Sequence, residues 1–221
     1  MFSVQRLPLA ERYAGLLVGD GVVRGLIGPR EASRLWDRHL LNCAVLTELL
    51  PEQATVADVG SGAGLPGLVL AIARPDLQVT LIEPLLRRTR FLEEVVDALG
   101  LADQVDVLRG RAEDLPAERT FDVVTARAVA PLGRLARWCL PLVSAHGELI
   151  AMKGSSAQAE VAEAAGDLAA LGCATPVVVE LGAGLLEQPT WAVRLARPET
   201  GPVGWRLRPG GKRTRQQRRG V

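Results

Sequence analysis

The spacing of hydrophobic positions divides the chain into a helical N-terminal part and a longer part with a mixed pattern. Residues 4–19 and 30–50 carry apolar side chains at helical spacing. In the second segment this pattern ends at Pro51, which disfavours further helix. Its apolar positions are Leu35, Leu40, Leu41, Ala44, Val45 and Leu49. We therefore predict an N-terminal helical extension over residues 1–51.

Seven short apolar runs follow, each with the length of a buried β-strand. They lie at 55–59, 78–82, 104–108, 121–126, 147–152, 176–181 and 190–196. Amphipathic segments, which we predict to be helices, separate most of these runs and lie near 66–73, 86–99, 131–140 and 156–171. Strands that alternate with helices form right-handed crossovers and a parallel sheet covered on both faces.

The last two runs are joined differently, because a loop with Gly182 and Gly184 takes the place of a helix. A short connection of this kind makes the seventh strand antiparallel to its neighbour. The predicted fold is therefore α/β: a seven-stranded, mostly parallel sheet with an antiparallel last strand, flanked by helices, over residues 52–200. In such sheets, nucleotide-derived ligands bind at the carboxyl ends of the strands.

The charge distribution adds a feature at the C-terminus. The net charge of the 221 residues is +1, yet seven bases and no acid fall between Arg206 and Val221. The remainder of the chain carries 19 bases against 25 acids. A mildly acidic body with a cationic tail suits binding to a polyanion, and the alternative is a tail that only aids solubility. We predict that residues 201–221 form a basic, disordered tail.

The rest of the composition excludes several classes of protein. No apolar run approaches the ~20 residues that span a membrane, and the N-terminus has no signal-peptide core, so we expect a cytoplasmic protein. Cys43, Cys139 and Cys173 are widely spaced in apolar surroundings, which is typical of buried, reduced thiols. His39 and His146 belong to no Cys/His cluster, so the sequence predicts no metal site.

One glycine-rich segment after the first predicted strand, DVGSGAGLPG, admits two interpretations. Starting at Gly62 it is a G-x-G-x-x-G motif, with Glu83 about 20 residues further on, as in dinucleotide-binding folds. Starting at Asp58 it is an acid followed by alternating glycines, the pattern of S-adenosylmethionine loops in class I methyltransferases. The motif alone therefore leaves the cofactor open.

The charge of the ligand distinguishes the two interpretations. A pyrophosphate is an anion that binds bare amides at a helix N-terminus, so a neighbouring Asp58 would repel it. S-adenosyl-L-methionine carries a sulfonium and an ammonium group, which a carboxylate attracts. Glu83 can accept the ribose hydroxyls of either cofactor, while Ala112 and Glu113 follow the third strand, where the adenine edge would lie. We therefore predict S-adenosyl-L-methionine, with contacts from Asp58, Glu83 and the loop glycine Gly62.

The chain resembles the ribosomal RNA small subunit methyltransferase G family, also called RsmG or GidB, in the stretch DVGSGAGLPGLVLAIARPDLQVTLIEPLLRRTRFLEEV. Within it, GLPG and the R-P that follows are more restrictive than the generic methyltransferase loop. The similarity extends to RLWDRHLLN, FDVVTARAVAPL, MKG and VRLAR, and so covers most of the chain between residues 10 and 197.

This resemblance implies a function. Proteins of the family are bacterial and cytoplasmic, and they methylate N7 of one guanine in a decoding-centre loop of 16S rRNA, the family target being guanine 527. The methyl donor is S-adenosyl-L-methionine and the product is S-adenosyl-L-homocysteine. The resemblance also implies a monomer whose partner is 16S rRNA or the small ribosomal subunit, with no membrane and no stable protein partner.

The resemblance also assigns residues. The cofactor contacts fall on Gly60, Leu65, Ala112, Glu113 and Arg127, and the substrate-positioning residues on Arg127, Lys153, Arg38 and His39. Arg127 would bind guanine O6, an RNA phosphate or the cofactor carboxylate, and Lys153 would contact a phosphate. His39 would either pair with Arg38 at the mouth of the site or serve the helix structurally.

The implied chemistry requires no general acid or base. Guanine N7 has an in-plane lone pair and no proton, so it attacks the sulfonium methyl group directly once the atoms are held in line. The chain lacks an N-P-P-[YFW] motif, and Cys139 lies in a predicted helix rather than a Pro-Cys loop. The open alternatives are a class I methyltransferase for another RNA, a protein or a small molecule, an NAD-dependent oxidoreductase, and a non-catalytic RNA-binding assembly factor.

Overall fold

The computed structural model describes residues 1–116 and 118–199 of the chain. The predicted basic tail, residues 201–221, lies outside the described residues. Within the described ranges, no helix is both long enough and apolar enough to cross a membrane.

A mixed sheet forms the centre of the fold. Its strands are β1 (Thr55–Val59), β2 (Gln78–Glu83), β3 (Val105–Arg109), β4 (Phe121–Arg127), β5 (Val143–Lys153), β6 (Val177–Leu181) and β7 (Thr190–Ala196). They lie in the order β3-β2-β1-β4-β5-β7-β6. β7 pairs antiparallel with β5 and with β6, and the other adjacent pairs are parallel. The predicted mostly parallel sheet with an antiparallel last strand is therefore confirmed.

Helices connect the strands at nearly the predicted positions. They are α3 (Gly67–Ala73), α4 (Leu86–Leu99), α5 (Leu132–Cys139), α6 (Ala157–Glu163) and α7 (Ala165–Ala170), with short 3₁₀ turns at Ala112–Asp114 and Leu140–Leu142. α4 is followed by Gly100, whose φ of 66° is the left-handed conformation that favours glycine at this position. The single helix predicted over 156–171 is instead divided at Ala164.

The N-terminal segment is helical but irregular. α1 (Leu7–Leu16) continues into a π-helical turn (Leu17–Gly21). The helix predicted over 30–50 is a series of short turns: 3₁₀ at Pro29–Arg34, π at Trp36–Leu40, α2 at Leu41–Ala44 and 3₁₀ at Val45–Leu49. It ends as predicted, because Leu50 precedes a proline and adopts an extended conformation.

Each face of the sheet packs against its own helices. In β1, Val56 belongs to the buried cluster that contains residues of α1, α2, α3 and α4, while Ala57 belongs to the cluster with residues of α5, α6 and α7 on the opposite face. The N-terminal segment belongs to the first of these layers, since Tyr13 and Leu46 are fully buried within it. The extension therefore shares a core with the sheet.

The parallel strands bring the predicted site residues to one edge of the sheet. β1, β2, β3 and β4 run in the same direction, so their carboxyl ends lie together. Asp58, Glu83 and Arg127 occupy the ends of three of these strands, and Ala112 follows the fourth.

Candidate active site

The loop between β1 and α3 has a conformation that requires its glycines. Gly60, Gly62 and Gly64 have φ values of 71°, 59° and 101°, all in the left-handed region. Gly60 also needs the space, because a Cβ there would lie 2.8 Å from Cγ2 of Val129. The loop therefore presents bare backbone at the edge of the sheet, directly against the segment that follows β4.

A residue of α1 supports this loop from the N-terminal layer. The Tyr13 hydroxyl donates a hydrogen bond of 2.8 Å to the carbonyl of Ala63, and both groups are buried. A Cβ at Gly64 would lie 2.9 Å from the same hydroxyl oxygen. Sequence reasoning missed Tyr13, although it is the only tyrosine of the chain. The loop thus depends on a contact from the N-terminal segment.

Asp58 lies behind the glycine loop and is fully buried. Its Oδ2 accepts a hydrogen bond of 2.9 Å from the amide of Gly67, the first residue of α3. Its Oδ1 has no partner among the described residues. Burial raises the pKa of this carboxyl to about 7, although the Gly67 amide opposes the shift. Direct contact between Asp58 and a cofactor therefore stays a prediction, while its contact with the loop and helix is established.

This placement bears on the choice between cofactors. The amide at the start of α3, where a dinucleotide pyrophosphate would bind, already donates to the Asp58 carboxylate. A phosphate at this helix end would face a buried acid instead of free N–H groups. The structure therefore disfavours a dinucleotide at this position.

Glu83 links the end of β2 to the loop. Its side chain is 1% exposed, and it accepts hydrogen bonds of 3.0 Å from the amides of Gly62 and Leu85. The guanidinium of Arg88 lies 3.4 Å from Oε2 of Glu83. An ionised carboxylate offers about four acceptor positions, so capacity remains for the hydroxyls of a ribose. The bonding capacity of the carboxylate therefore permits the predicted ribose contact, which stays a prediction.

Ala112 and Glu113 follow β3 at the same edge. Ala112 is buried, and the Glu113 side chain is 28% exposed, with the guanidinium of Arg111 at 4.0 Å. Leu65, at the end of the glycine loop, is buried. The structure thus brings the predicted cofactor residues to one stretch of the sheet edge, and their contacts with a cofactor stay predictions.

Arg127, at the end of β4, contacts the N-terminal segment through His39. Its Nη1 lies 2.9 Å from Nδ1 of His39, and Nε2 of His39 lies 3.0 Å from Oε2 of Glu31. A guanidinium has no acceptor, so the Nδ1 atom must accept from Arg127 and carry no proton. The proton of the neutral ring therefore resides on Nε2, which donates to Glu31.

The environment of His39 favours this neutral form. Burial lowers the pKa of His39, the positive charge of Arg127 lowers it further, and Glu31 offsets part of the shift. The predicted pairing of His39 with Arg38 is wrong, because the ring contacts Arg127 and Glu31 while Arg38 is exposed. Sequence reasoning missed Glu31, which has no distinctive sequence context.

Lys153, at the end of β5, is bound within the protein. Its Nζ lies 2.5 Å from Oε2 of Glu160 and donates a hydrogen bond of 3.2 Å to the carbonyl of Ala130. Its side chain is only 10% exposed. The predicted contact with a phosphate stays a prediction, but the structure gives Lys153 a further role in holding the segment after β4.

A cavity of about 1280 Å³ opens beside the segment 127–131. Its lining includes the four residues predicted to position the substrate, namely Arg38, His39, Arg127 and Lys153. Val129 lines the cavity and fills the space where a Cβ at Gly60 would lie, so the cavity adjoins the glycine loop. Ala128, next to Arg127, has a φ of 55°, an uncommon conformation for a non-glycine residue. A strained segment thus separates the loop from the cavity.

The cysteines are poorly suited to act as nucleophiles. Cys43 and Cys139 are fully buried and free, and Cys173 is half-buried and free. Burial raises the pKa of Cys43 to about 11 and also raises the pKa values of Cys139 and Cys173. Residues 1–116 and 118–199 contain no group of three His, Cys, Asp or Glu residues arranged to hold a metal ion.

The sheet order, the glycine loop and the acid at the end of β2 define a class I, Rossmann-like methyltransferase fold. A SAM-dependent O-methyltransferase from Thermotoga maritima shares it with a TM-score of 0.58, at 14% identity over 76% of this chain and 70% of that one. A SAM-dependent methyltransferase from Aquifex aeolicus shares it with a TM-score of 0.54, at 24% identity over 75% and 93%. The chain itself belongs to the rRNA small subunit methyltransferase G family, whose model matches residues 6–187.

Curated relatives agree with this assignment. A ribosomal RNA small subunit methyltransferase G of a Nocardioides species is 62% identical over 99% of this chain and 87% of its own length. The protein of the same name from Salinispora tropica is 63% identical over 87% of this chain and 82% of its own length. The predicted family is therefore confirmed.

Proposed function

We propose that the chain is an S-adenosyl-L-methionine-dependent 16S rRNA (guanine-N7)-methyltransferase. Its target would be one guanine in a decoding-centre loop of the small ribosomal subunit, the family's guanine 527. Family membership supports the substrate class, and the geometry of the site supports the kind of chemistry. We further propose that the protein acts in the cytoplasm as a monomer.

The sheet edge suits the proposed cofactor. Gly62 leaves open backbone there, Glu83 retains acceptor capacity for a ribose, and Glu113 is partly exposed beside Ala112. Asp58 lies buried behind the loop, and because its pKa is raised to about 7, the negative charge it offers a cationic ligand grows as the pH rises through that value. When bound, S-adenosyl-L-methionine supplies an electrophilic methyl group on its sulfonium. The residues named here would hold its adenosine part and balance its charge.

The observation that supports N7 is that the two ionisable side chains bound to the segment 127–131 are both engaged in other bonds. Among the described residues, the two ionisable side chains that bind this segment are His39 and Lys153. The Nδ1 lone pair of His39 accepts from Arg127, and the ammonium of Lys153 is paired with Glu160. A nucleophile that must lose a proton would find neither group free. Guanine N7 carries its own lone pair, so positioning alone is sufficient.

Arg127 has a defined part in this proposal. One N–H of its guanidinium is directed at His39, which leaves other donors for a ligand in the cavity. A planar, permanently charged group suits the carboxylate of the cofactor or O6 of a guanine. Its position between the loop and the cavity favours the proposal that it orients the two reactants.

The proposal is tested with small ribosomal subunits from cells that lack this chain. We expect the purified protein to transfer one methyl group per subunit, and mass spectrometry of the digested rRNA to identify 7-methylguanosine. Subunits from cells that contain the chain serve as the control, since their site is already modified. A methyl group on another atom, on a protein or on no acceptor would contradict the proposal.

A binding measurement separates the cofactor from the substrate. Calorimetry should show binding of S-adenosyl-L-homocysteine and none of NAD, because Asp58 occupies the helix end that a pyrophosphate needs. Preference for NAD would overturn the methyltransferase proposal. Binding of S-adenosyl-L-homocysteine without methylation of the subunit would overturn only the choice of substrate.

A further inference from the structure

We propose that Glu31 and His39 are positioning residues that hold the guanidinium of Arg127 toward the reactants through a directed hydrogen-bond relay. This inference deepens the proposed function and rests on it, since Arg127 is the group that would touch cofactor or substrate. His39 itself would contact neither. In this arrangement the ring must be neutral, because only an unprotonated Nδ1 can accept from Arg127.

The relay connects parts of the chain that are far apart in sequence. Glu31 lies in the 3₁₀ turn Pro29–Arg34, His39 in the π-helical turn Trp36–Leu40, and Arg127 at the end of β4. The two heavy-atom distances are 3.0 Å and 2.9 Å, within the range of good hydrogen bonds. The side chain of His39 is 17% exposed, so packing also limits its motion.

Arg127 needs such support because of its position. Its long side chain has many rotamers, and the backbone turns immediately after it at Ala128, where φ is 55°. A hydrogen bond to a partly buried ring selects one direction for the guanidinium before a ligand arrives. Catalysis by orientation depends on this kind of preorganisation.

Protonation of His39 would break the relay. An imidazolium donates from both nitrogens, so Nδ1–H would face the N–H groups of Arg127. Three charged groups lie around His39: Glu31 from the preceding turn, Arg127 from β4 and Arg38 on its own turn. Further along the cavity lie Arg34, Asp37, Lys153 and Glu160. Methyl transfer should therefore fall on the acid side as His39 gains its proton.

Three substitutions distinguish the two bonds of the ring. In His39→Asn the amide oxygen can replace Nδ1 and accept from Arg127, whereas in His39→Gln the longer amide can replace Nε2 and reach only Glu31. His39→Leu removes both bonds. We expect kcat/KM for small subunits to fall by about 10- to 100-fold in His39→Leu and His39→Gln. His39→Asn should recover a large part of this loss.

The pH profile provides a readout that a purely structural role would not change. Glu31 raises the pKa of His39, so Glu31→Gln should lower that pKa and move the acid limb of kcat to lower pH. His146, an exposed histidine on β5 outside the cavity, provides the control. His146→Gln should leave the acid limb of the wild type unchanged.

The outcomes separate this inference from the proposed function. If the wild type methylates the subunit but His39→Leu and Glu31→Gln keep its rate and acid limb, the relay is refuted. Equal losses in His39→Asn and His39→Leu would also refute it. If the wild type does not methylate the subunit, the proposed function fails. Calorimetry of S-adenosyl-L-homocysteine with the same variants then still tests whether the relay orients Arg127 toward the cofactor.

Discussion

The hydrogen bond from Tyr13 to the glycine loop predicts that the N-terminal helix controls cofactor affinity. Tyr13→Phe removes only the hydroxyl, which donates to the Ala63 carbonyl at 2.8 Å, and keeps the ring that fills the core. Burial raises the pKa of Tyr13 well above its usual value, so the hydroxyl remains a donor throughout the neutral range. The substitution thus isolates one bond.

The expected size of the effect of Tyr13→Phe follows from the burial of the Ala63 carbonyl. A buried carbonyl left without its partner costs about 1–3 kcal/mol, and the loop can regain part of this by shifting. If about 1 kcal/mol of the loss falls on the cofactor-binding conformation, the affinity for S-adenosyl-L-homocysteine drops roughly fivefold. Calorimetry measures this affinity, and urea unfolding measures the change in stability.

A matched variant distinguishes an effect on the glycine loop from a general loss of stability. Leu17→Ala alters the turn after α1 at another fully buried side chain and should cost about 2–5 kcal/mol of unfolding free energy. It touches no loop carbonyl, so under native conditions its affinity for S-adenosyl-L-homocysteine should equal that of the wild type. Unchanged affinity in Tyr13→Phe, or equal weakening in both variants, would refute the proposed support of the loop.

Three further predictions address other parts of the site. Burial raises the pKa of Asp58 from 3.8 to about 7, so the stability of the wild type should fall as the pH rises through that interval. Relative to Asp58→Asn, urea unfolding should show a fall of as much as about 4 kcal/mol. A difference in stability that stays constant with pH would contradict this prediction. A double-mutant cycle of Lys153→Ala and Glu160→Ala should give a coupling free energy of about 1 kcal/mol or more in stability. In these variants kcat should fall more than cofactor affinity. Additive effects of the two substitutions on stability would contradict the prediction. Deleting residues 206–221 should weaken RNA binding and flatten its salt dependence without changing cofactor affinity, and an unchanged salt slope would show that the tail makes no phosphate contacts.

Local sequence patterns were sufficient to predict the strands of the sheet and the direction of the last one. The bounds of β1 and β7 are those that the apolar runs predict, and the antiparallel direction of β7 follows from the helix-free connection with Gly182 and Gly184. These features depend on residues that are close together in sequence, so periodicity and turn residues are enough to predict them. The glycine loop belongs to the same class, because a positive φ and a close approach both leave a direct sequence signal.

The contacts that organise the site could not be predicted in this way. Tyr13 reaches a carbonyl 50 residues away, and His39 reaches a guanidinium 88 residues away. No periodicity relates such pairs, since they arise only when the N-terminal layer packs on the sheet. The charge argument predicts that Asp58 contacts the cofactor, and this stays a prediction. Charge alone does not give the direction of a side chain, so the bond from Gly67 to Asp58 required the structure.

The segment after β4 explains how these distant contacts act together. It is fixed at three points: Arg127 by His39, Val129 against the loop at Gly60, and Ala130 by Lys153. In the proposed function, the cofactor side and the substrate side would thus share one short piece of backbone. Because in-line transfer tolerates little displacement between the reacting atoms, we expect a change at any of the three points to alter the alignment of both reactants. Under the proposed function, the precision of the reaction would therefore depend on packing between the N-terminal layer and the sheet as much as on residues that touch either reactant.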